Sequence, residues 1–310
     1  MSQYFLGVDG GQSSTTAIIG DETGRIAGYG RGGPCNHITG TEAKARFVGA
    51  IGNAITEAAG FARPHFFSAC LGFSGGAEDK AAWLDEIFTS NHRTVTHDGL
   101  IALTGATASK PGLIIIAGTG QFAFGRNAAG RTARAGGWGY IYGDEGGGFD
   151  LTRQAVRAAL REEEGWGPKT LLTPMLLEAS EAKDSNDLVH RLYTPEFERP
   201  VIASWSHLVN DAAEQGDECA IEILKAAAQN LATYALAVHR NLFPASDPAG
   251  TIAHIGGVFK SKRLLDAFKQ NVAPIPVSKP QYGPASGALL EAYRQAGLTP
   301  TLSNVPEHEK

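Results

Sequence analysis

The sequence predicts an α/β protein made of two similar lobes. Its 310 residues are enough for two domains. A run of strands interrupted by a glycine turn opens the chain, and the same layout begins again near residue 112. Segments with apolar residues at the three- and four-residue spacing of helices follow each run of strands. Two copies of one strand–turn–strand unit therefore indicate two lobes of similar fold that face each other.

The opening stretch is predicted to form three short antiparallel strands, at residues 4–8, 13–20 and 25–30. The first strand breaks at Asp9-Gly10-Gly11, where glycines let backbone N–H groups converge on an anion. An acidic residue beside an anion is explained if a metal ion lies between them. The stretch therefore predicts either a nucleotide-phosphate clip with Mg²⁺ or a tight hairpin that binds no ligand.

Helices and strands alternate after this hairpin. We expect helices at residues 41–59, 77–90 and 100–108, and strands at residues 66–73 and 94–96. Asp98 follows the last of these strands, and ligands of α/β sheets bind beyond the carboxyl ends of strands. Asp98 is thus predicted to be the general base of a phosphoryl transfer or the N-cap of the next helix. Its neighbour His97 is expected to be structural, because adjacent strand residues face opposite sides.

The second copy of the hairpin starts with a buried strand at residues 113–117. The turn Gly118-Thr119-Gly120 follows it, and two further strands are predicted at 121–126 and 131–135. Two such turns could grip a nucleotide triphosphate with backbone N–H groups. The hydroxyls of Ser13 and Thr119 are placed to bind phosphate oxygens, although hydroxyl residues are also common beside turns.

Glycine and aromatic residues alternate in residues 136–148, a segment that leads into a helix predicted at 149–162. So many glycines cost conformational entropy, which indicates a ligand lying against the backbone. Asp and Asn side chains are natural partners of paired sugar hydroxyls. Asp144 is therefore predicted to bind a sugar or, like Glu145, to cap the helix. Asn36 is predicted to reach the same ligand or to be an ordinary turn residue.

The rest of the chain is predicted to be mostly helical. Helices are expected at residues 170–179, 185–192, 201–214, 217–242, 261–271 and 285–295, with a strand at 251–255 and extended chain at 272–280. Gly256-Gly257, after that strand, is a third glycine loop on which an adenine or ribose could lie flat. The polar tail from Thr299 is expected to fray.

The pattern also predicts where the lobes begin and end. The first lobe is expected to span residues 1–111 and to be joined by the C-terminal helix at 285–297. The second lobe would span residues 112–284 and carry a helical insertion. Hinges are expected where the chain crosses between the lobes, near residues 109–112 and near Gly283.

Composition argues against several classes of protein. A net charge of −5 gives no support to a nucleic-acid surface. Cys35, Cys70 and Cys219 lie far apart, without the spacing of a disulfide framework or a zinc site. The longest apolar runs fall short of the about 18–20 residues that cross a membrane, and no signal peptide is visible. We therefore expect a cytoplasmic protein that does not bind membranes.

A series of motifs spans nearly the whole chain. They are Val8-Asp9-Gly10-Gly11, Asn36-His37, Val95-Thr96-His97-Asp98, Ile116-Ala117-Gly118-Thr119-Gly120, Gly136-Gly137-Trp138-Gly139, Gly143-Asp144-Glu145-Gly146, Ile255-Gly256-Gly257-Val258-Phe259-Lys260, and Gly283-Pro284 with Gly287. Together they resemble the sugar-kinase, actin and Hsp70 superfamily, and most closely the N-acetylglucosamine kinase group of the BadF/BadG/BcrA/BcrD ATPase family. The tryptophan and Asp-Glu motifs are specific, and the others are individually moderate.

This resemblance implies two ribonuclease-H-like (actin-like ATPase) lobes with a cleft that closes over ATP-Mg²⁺ and an amino sugar, N-acetylglucosamine or glucosamine. It implies Asp98 as the base toward the C6 hydroxyl, and Asp9 on the Mg²⁺ side through water. It also suggests a homodimer. The sugar would contact Asn36, Gly137, Trp138, Gly139 and Asp144, and the nucleotide would contact Gly10, Gly11, Ser13, Gly118, Thr119, Gly120, Ala213, Gly256 and Gly257.

The chain departs from the family pattern at one place, and two other functions are compatible with the wider family. Where the family often has a third glycine and then threonine, this chain has Gln12 and Ser13, so a side chain is added beside the phosphates. An ATPase activator of a 2-hydroxyacyl-CoA dehydratase-type enzyme would need cysteines that hold an iron–sulfur cluster between subunits, and no cysteines are paired here. A non-catalytic sugar-sensing regulator is disfavoured because no helix-turn-helix segment is recognisable.

Overall fold

The computed structural model describes residues 3–11, 13–35, 42–73, 78–195, 197–243 and 250–310. The chain forms two compact units, one of Met1–Pro111 with Lys279–Lys310 and one of Gly112–Ser278. The backbone therefore passes from one unit to the other after Pro111 and again after Ser278. Among the described residues, no helix is both long enough and apolar enough to cross a membrane.

Strands and helices alternate in both units. Within the described residues, the strands are β1 (Tyr4–Gly10), β2 (Thr15–Asp21), β3 (Ile26–Gly32), β4 (His65–Phe73), β5 (Thr89–His97), β6 (Gly112–Ala117), β7 (Gln121–Arg126), β8 (Thr132–Gly136), β9 (Thr251–Ile255) and β10 (Val277–Ser278). The helices are α1 (Ala43–Ala59), α2 (Asp98–Thr107), α3 (Gly148–Glu163), α4 (Leu172–Ser180), α5 (Ser185–Leu192), α6 (Arg199–Ser204), α7 (Ser206–Glu214), α8 (Glu218–Leu242), α9 (Lys262–Asn271) and α10 (Pro284–Gln295), with 3₁₀ helices at Glu78–Glu86, Gly257–Lys260 and Glu307–Glu309.

Each unit is built on a mixed five-stranded sheet. In the first unit the order is β3-β2-β1-β4-β5, where β1, β2 and β3 pair antiparallel and β4 and β5 continue the sheet in parallel. The second sheet repeats this order and these directions as β8-β7-β6-β9-β10. The internal repeat predicted from the two glycine turns is confirmed. Both units have the α/β topology expected of ribonuclease-H-like lobes.

The first sheet is covered by helices on both faces. Leu6 and Val8 of β1 lie in the cluster that includes α1, whereas Phe5 lies in the cluster that includes α10, as the alternation of strand side chains requires. The backbone of α10 lies directly against β1, because a Cβ added to Gly7 would come 2.2 Å from the amide nitrogen of Leu289. The C-terminal helix is therefore part of the core of the first unit.

Two local predictions for the first unit differ from the structure in helix type or in extent. The α-helix predicted at residues 77–90 is a 3₁₀ helix that ends at Glu86, and the strand predicted at 94–96 is the nine-residue β5. The residues of β5 are polar because it is an edge strand with little buried surface, and their pairing with β4 extends from Thr89 to His97. The extent of β5 is determined by backbone pairing with β4. A polar edge strand lacks the alternating apolar residues from which a strand is predicted.

The helix predicted at residues 201–214 is divided in two at Trp205. α6 begins with Pro at its first turn, and Trp205 ends it by packing its buried ring edge-on against Phe197, with ring centroids 5.1 Å apart. The new helix, α7, begins at the next residue, Ser206. This division matters for function because both short helices line the pocket described below.

The C-terminal tail is ordered against the first unit, so the expected fraying was wrong. Ser303 donates a backbone hydrogen bond to Gly24 and accepts one from Ile26, each at 3.0 Å. Leu302 is buried, and the backbone oxygen of Glu309 accepts from the amide of Gly283 at 2.8 Å. The Glu309 carboxylate also accepts from the amide of Ser286 at 2.8 Å and so caps the start of α10. Polar composition alone did not reveal these backbone partners.

Candidate active site

The first glycine turn lies one step later in the chain than predicted. Asp9 and Gly10 belong to β1, and the turn is closed by the amide of Gly11, which donates to the carbonyl of Ser14 at 2.9 Å. Ser13 is exposed in this turn and does not belong to β2. A Cβ at Gly10 would lie 2.3 Å from the Phe73 ring, so packing within the unit already requires glycine there.

Asp98 is the first residue of α2, and it does not cap that helix. His97 is the N-cap, since its Nδ1 accepts from the amide of Leu100 at 3.2 Å, which confirms the structural role predicted for it. The exposed Asp98 carboxylate accepts from the amide of Gly99 at 2.8 Å. The Asp98 carboxylate is therefore accessible to a ligand.

Asp9 has an unusual electrostatic environment. Burial, the charge of Glu309 and the charge of Asp98, in that order, raise the pKa of Asp9 from 3.8 to about 7. A carboxylate surrounded by like charges is a group that a divalent cation would stabilise. No cluster of three or more potential ligands occurs among the described residues. One buried carboxylate is a donor that would suit Mg²⁺, which proteins usually bind through one or two carboxylates together with substrate phosphates and water.

The second glycine turn is anchored at the start of α3. The amide of Gly148 donates to the carbonyl of Gly118 at 2.7 Å, and the amide of Phe149 donates to that of Thr119 at 3.0 Å. A cavity of about 430 Å³ opens beside this turn, a volume typical of small-molecule sites. It is lined by Gly118, Thr119, Leu151, Pro200, Ala203, Ser204, Ser206, His207, Asn210, Leu224, Gly257, Val258, Lys260 and Ser261.

Two of the predicted glycines leave room for a ligand in this cavity. A Cβ added to Gly118 or to Gly257 would have no other atom within 4 Å, so packing does not explain either glycine. Gly256 is different, since its φ of 112° and its approach to the carbonyl of Ala117 require glycine for the backbone itself. Gly118, Thr119 and Gly257, predicted separately from sequence, thus meet at one pocket.

Sequence reasoning missed the polar wall of this pocket, which α7 supplies. Ser206, His207 and Asn210 recur at helical spacing along the lining, and Asn210 Oδ1 is a buried atom without a hydrogen-bond partner in the described part of the chain. Ala213 is fully buried in the hydrophobic core and does not line the cavity. The placement of Ala213 near the nucleoside stays a prediction. Polar residues three and four apart were the signal that could have identified this face.

The segment predicted to bind sugar is largely exposed. Trp138 is 66% exposed, with the Arg134 guanidinium 4.8 Å above its ring. Gly137 and Gly139 flank it at φ values of 73° and 82°, which glycine adopts without strain. Tyr140, Ile141 and Tyr142 are also exposed. An exposed apolar surface of this kind is typical of a ligand-binding face.

Asp144, at the end of this segment, is only 4% exposed. Its Oδ2 accepts from Arg199 Nη2 at 2.6 Å, and its Oδ1 lies 3.4 Å from the amide of Gln121. The residue that caps α3 is Gly147, so the capping role considered for Asp144 and Glu145 was wrong. Glu145 instead accepts a hydrogen bond from the Tyr234 hydroxyl. Asp144 is thus a buried carboxylate whose main partner is one arginine.

A model of the BadF/BadG/BcrA/BcrD ATPase family matches residues 6–292 of this sequence. The chain belongs to this ATPase family. Among the proteins that it resembles, an N-acetylmuramic acid/N-acetylglucosamine kinase of Clostridium acetobutylicum is 33% identical over 243 residues, 74% of this chain and 77% of that protein. An N-acetyl-D-glucosamine kinase of Dictyostelium discoideum is 30% identical over 280 residues, 85% of this chain and 88% of that protein.

A solved structure shares the fold of this BadF/BadG/BcrA/BcrD family member. It is a candidate N-acetylglucosamine kinase from Chromobacterium violaceum, 26% identical, with a TM-score of 0.71 over 93% of this chain and 98% of that one. The family resemblance inferred from the motifs is therefore confirmed. Asn36, predicted to contact sugar, and Gln12, the departure from the family's glycine, lie outside the described residues.

Proposed function

We propose that this protein is an ATP-dependent kinase that phosphorylates the C6 hydroxyl of an amino sugar, N-acetylglucosamine or glucosamine. One observation carries the proposal: the phosphate turn and the sugar carboxylate are immediate neighbours. A Cβ at Gly120 would lie 2.4 Å from Asp144 Oδ2. Phosphoryl transfer to a sugar needs phosphate and sugar groups at this kind of separation, because positioning supplies most of its catalysis.

In this proposal, Gly118, Thr119 and Gly120 hold the phosphates together with Gly11 and Ser13 of the first turn, while Gly256 and Gly257 lie beside the nucleoside. Ser206, His207 and Asn210 of α7 are added to the nucleoside side, because they line the same cavity as Thr119. The unpartnered Oδ1 of Asn210 would accept a hydrogen bond from the base or ribose. These groups supply directional contacts in a site whose lining also includes Lys260 and several small and apolar residues.

The sugar is assigned to Asn36, Gly137, Trp138, Gly139 and Asp144. Asp144 would accept hydrogen bonds from sugar hydroxyls, and the exposed Trp138 ring offers an apolar face to the pyranose. Asp98 would take the proton of the C6 hydroxyl. At the same time the C6 oxygen forms a bond to the γ-phosphorus, and the bond between the γ-phosphorus and the β–γ bridging oxygen breaks, which releases ADP. Mg²⁺, bound with ATP on the Asp9 side, would neutralise phosphate charge. We further propose that the protein is a homodimer.

The dehydratase-activator alternative receives less support from this chain. Such a role needs cysteines that can reach a shared iron–sulfur cluster at a subunit contact. Cys35 and Cys70 are 1% and 0% exposed, inside the hydrophobic clusters on either side of the first sheet. Burial on this scale favours a packing role for both thiols.

The proposal is tested with ADP release measured against a panel of hexoses, for the wild type and for Asp98→Asn. We expect release that depends on an amino sugar and is slow without one. Asp98→Asn should lower kcat by about 10²–10⁴-fold, the usual contribution of a general base, while the Kd for ATP stays within about twofold. Asp85→Asn, which removes an exposed carboxylate paired with Arg93, is the control. Unchanged kcat in Asp98→Asn would refute the assignment of the base.

A further inference from the structure

The orientation of the Asp144 carboxylate depends on its surroundings. Asp144 has a φ of 64°, a left-handed conformation that non-glycine residues rarely adopt and that persists only when neighbouring groups hold it. The contact of its Oδ1 with the amide of Gln121 is long, at 3.4 Å. Arg199, at 2.6 Å, is therefore the group that mainly fixes this carboxylate.

Arg199 is itself held between two parts of the candidate site. Its guanidinium lies 5.0 Å from the centroid of the Tyr140 ring, in the segment that carries Trp138 and Asp144. Its Nη2 would be 2.9 Å from a Cβ at Gly120, so it also lies against the phosphate turn. Arg199 Nε is a buried donor without a hydrogen-bond partner in the described residues. A buried donor left unpaired is a reason for the side chain to move when a new acceptor arrives.

Arg199 also has a direct connection to the nucleotide pocket through the backbone. It is the first residue of α6, a helix of six residues with Pro at its first turn. The next residue, Pro200, lines the cavity, as do Ala203 and Ser204. A ligand that displaces or orders this wall of the cavity must act on the backbone that carries Arg199.

We propose that Arg199 is a positioning residue that couples occupancy of the nucleotide pocket to the orientation of the Asp144 carboxylate, and thereby to sugar affinity. This inference rests on the proposed function, because it takes the cavity as the nucleotide site and Asp144 as a sugar ligand. A nucleotide against Pro200 and Ala203 sets the position of α6, and α6 sets the position of the guanidinium. Only one arrangement of the Arg199–Asp144 pair then presents the carboxylate correctly to sugar hydroxyls.

The test measures how much a nucleotide changes sugar affinity. The Kd for N-acetylglucosamine is determined by calorimetry with and without a saturating non-hydrolysable ATP analogue and Mg²⁺. We expect a ratio of at least about fivefold in the wild type, the lower end of ordinary coupling between sites. Arg199→Gln should reduce this ratio to less than about twofold, with the Kd for the nucleotide alone nearly unchanged. Arg199→Lys should also reduce it, because an ammonium cannot reproduce the planar guanidinium contacts with both Asp144 and Tyr140.

The control must separate coupling from loss of stability, because removal of Arg199 leaves a buried carboxylate without its cation. Arg153→Gln breaks the Arg153–Asp150 pair, whose side chains are 31% and 7% exposed, against 36% and 6% for Arg199 and Asp144. Arg153 also donates to the carbonyl of Tyr140, so it controls for effects on that segment. We expect Arg153→Gln to be destabilised to a similar degree and to keep the wild-type ratio.

Two results would overturn the inference. One is a wild-type ratio that survives in Arg199→Gln, and the other is a wild type that binds both ligands with no coupling. Failure of the proposed function would be recognised earlier and separately, as a wild type that neither binds nor phosphorylates any amino sugar. Should Arg199→Gln fold poorly, Arg199→Lys retains the positive charge and decides the question alone.

Discussion

The replacement Asp9→Asn should make the ligand-free protein more stable at neutral and alkaline pH. The pKa of Asp9 is raised from 3.8 to about 7 in the folded protein, chiefly by burial and then by the charges of Glu309 and Asp98. Between these two pH values, the unfolded chain releases a proton that the folded chain retains. Stability therefore falls as pH rises through this window, and above about pH 7 the penalty is constant.

The size of the effect follows from the same pKa values. A shift of one unit corresponds to about 1.4 kcal/mol, so the penalty removed by asparagine approaches about 4 kcal/mol above pH 7. Well below pH 3.8 the side chain is neutral in both states, so the difference in unfolding free energy between variant and wild type should shrink toward zero as pH falls. The variant should nevertheless lose sugar-dependent ADP release, because the ionised carboxylate is the group assigned to the Mg²⁺ side.

The free energies of unfolding of the wild type and Asp9→Asn are measured with urea in EDTA at pH 4, 5.5, 7 and 8.5. Hydrogen exchange of the β1 amides then tests whether the change is localised to the first unit. Addition of Mg²⁺ with ATP at pH 8.5 should stabilise the wild type more than Asp9→Asn, since binding to the folded state alone adds to stability. A variant less stable than the wild type at pH 8.5 would refute the electrostatic argument. A stability difference that is the same at every pH would also refute it.

Two further predictions concern the glycine loops and the tail. Gly118→Ala and Gly257→Ala should leave the melting temperature nearly unchanged, because each added Cβ meets open space, yet raise the KM for ATP by about tenfold, on the scale of about 1.4 kcal/mol of lost binding. The contrasting variant is Gly287→Ala, which should fail to fold because its Cβ would lie 1.9 Å from the carbonyl of Ile101. An unaltered KM for ATP in both pocket variants would count against the nucleotide site. Glu309→Ala should destabilise the protein by about 1 kcal/mol through loss of a helix cap, seen as a lower melting temperature. An unchanged melting temperature would refute this capping role of the Glu309 carboxylate.

The strand framework was predictable from sequence because its signals are local. Buried apolar runs such as Leu113–Ala117 and the glycine turns beside them mark strands and tight connections without reference to the rest of the fold. The polar edge strand β5 has no such pattern, because none of its residues is fully buried and its strand conformation depends on pairing with β4. The order of the tail could not be predicted from its own residues either, because its hydrogen-bond partners, Gly24 and Ser286, lie far away in the sequence.

The candidate site was predictable where it consists of contiguous motifs. Asp9, Asp98, Thr119 and Asp144 each lie next to a turn or at the end of an element, where a sequence pattern indicates a loop. Arg199 could not be found in this way, since it is 55 residues from Asp144 and starts a short helix that looked like part of a longer one. The face of α7 that lines the cavity was equally hard to predict, because it is fixed by the packing of the opposite face, which includes Ala213, against the core.

The central claim is that ATP phosphorylates an amino sugar at this site. The most direct measurement follows ADP and sugar phosphate together, by a coupled assay and by ³¹P spectroscopy, in reactions of the wild-type protein with ATP, Mg²⁺ and either N-acetylglucosamine or glucosamine. We predict that ADP and a hexosamine 6-phosphate appear in equal amounts and that neither forms without the sugar. ADP release at the same rate with and without sugar, or phosphate liberated in place of a sugar phosphate, would contradict the account.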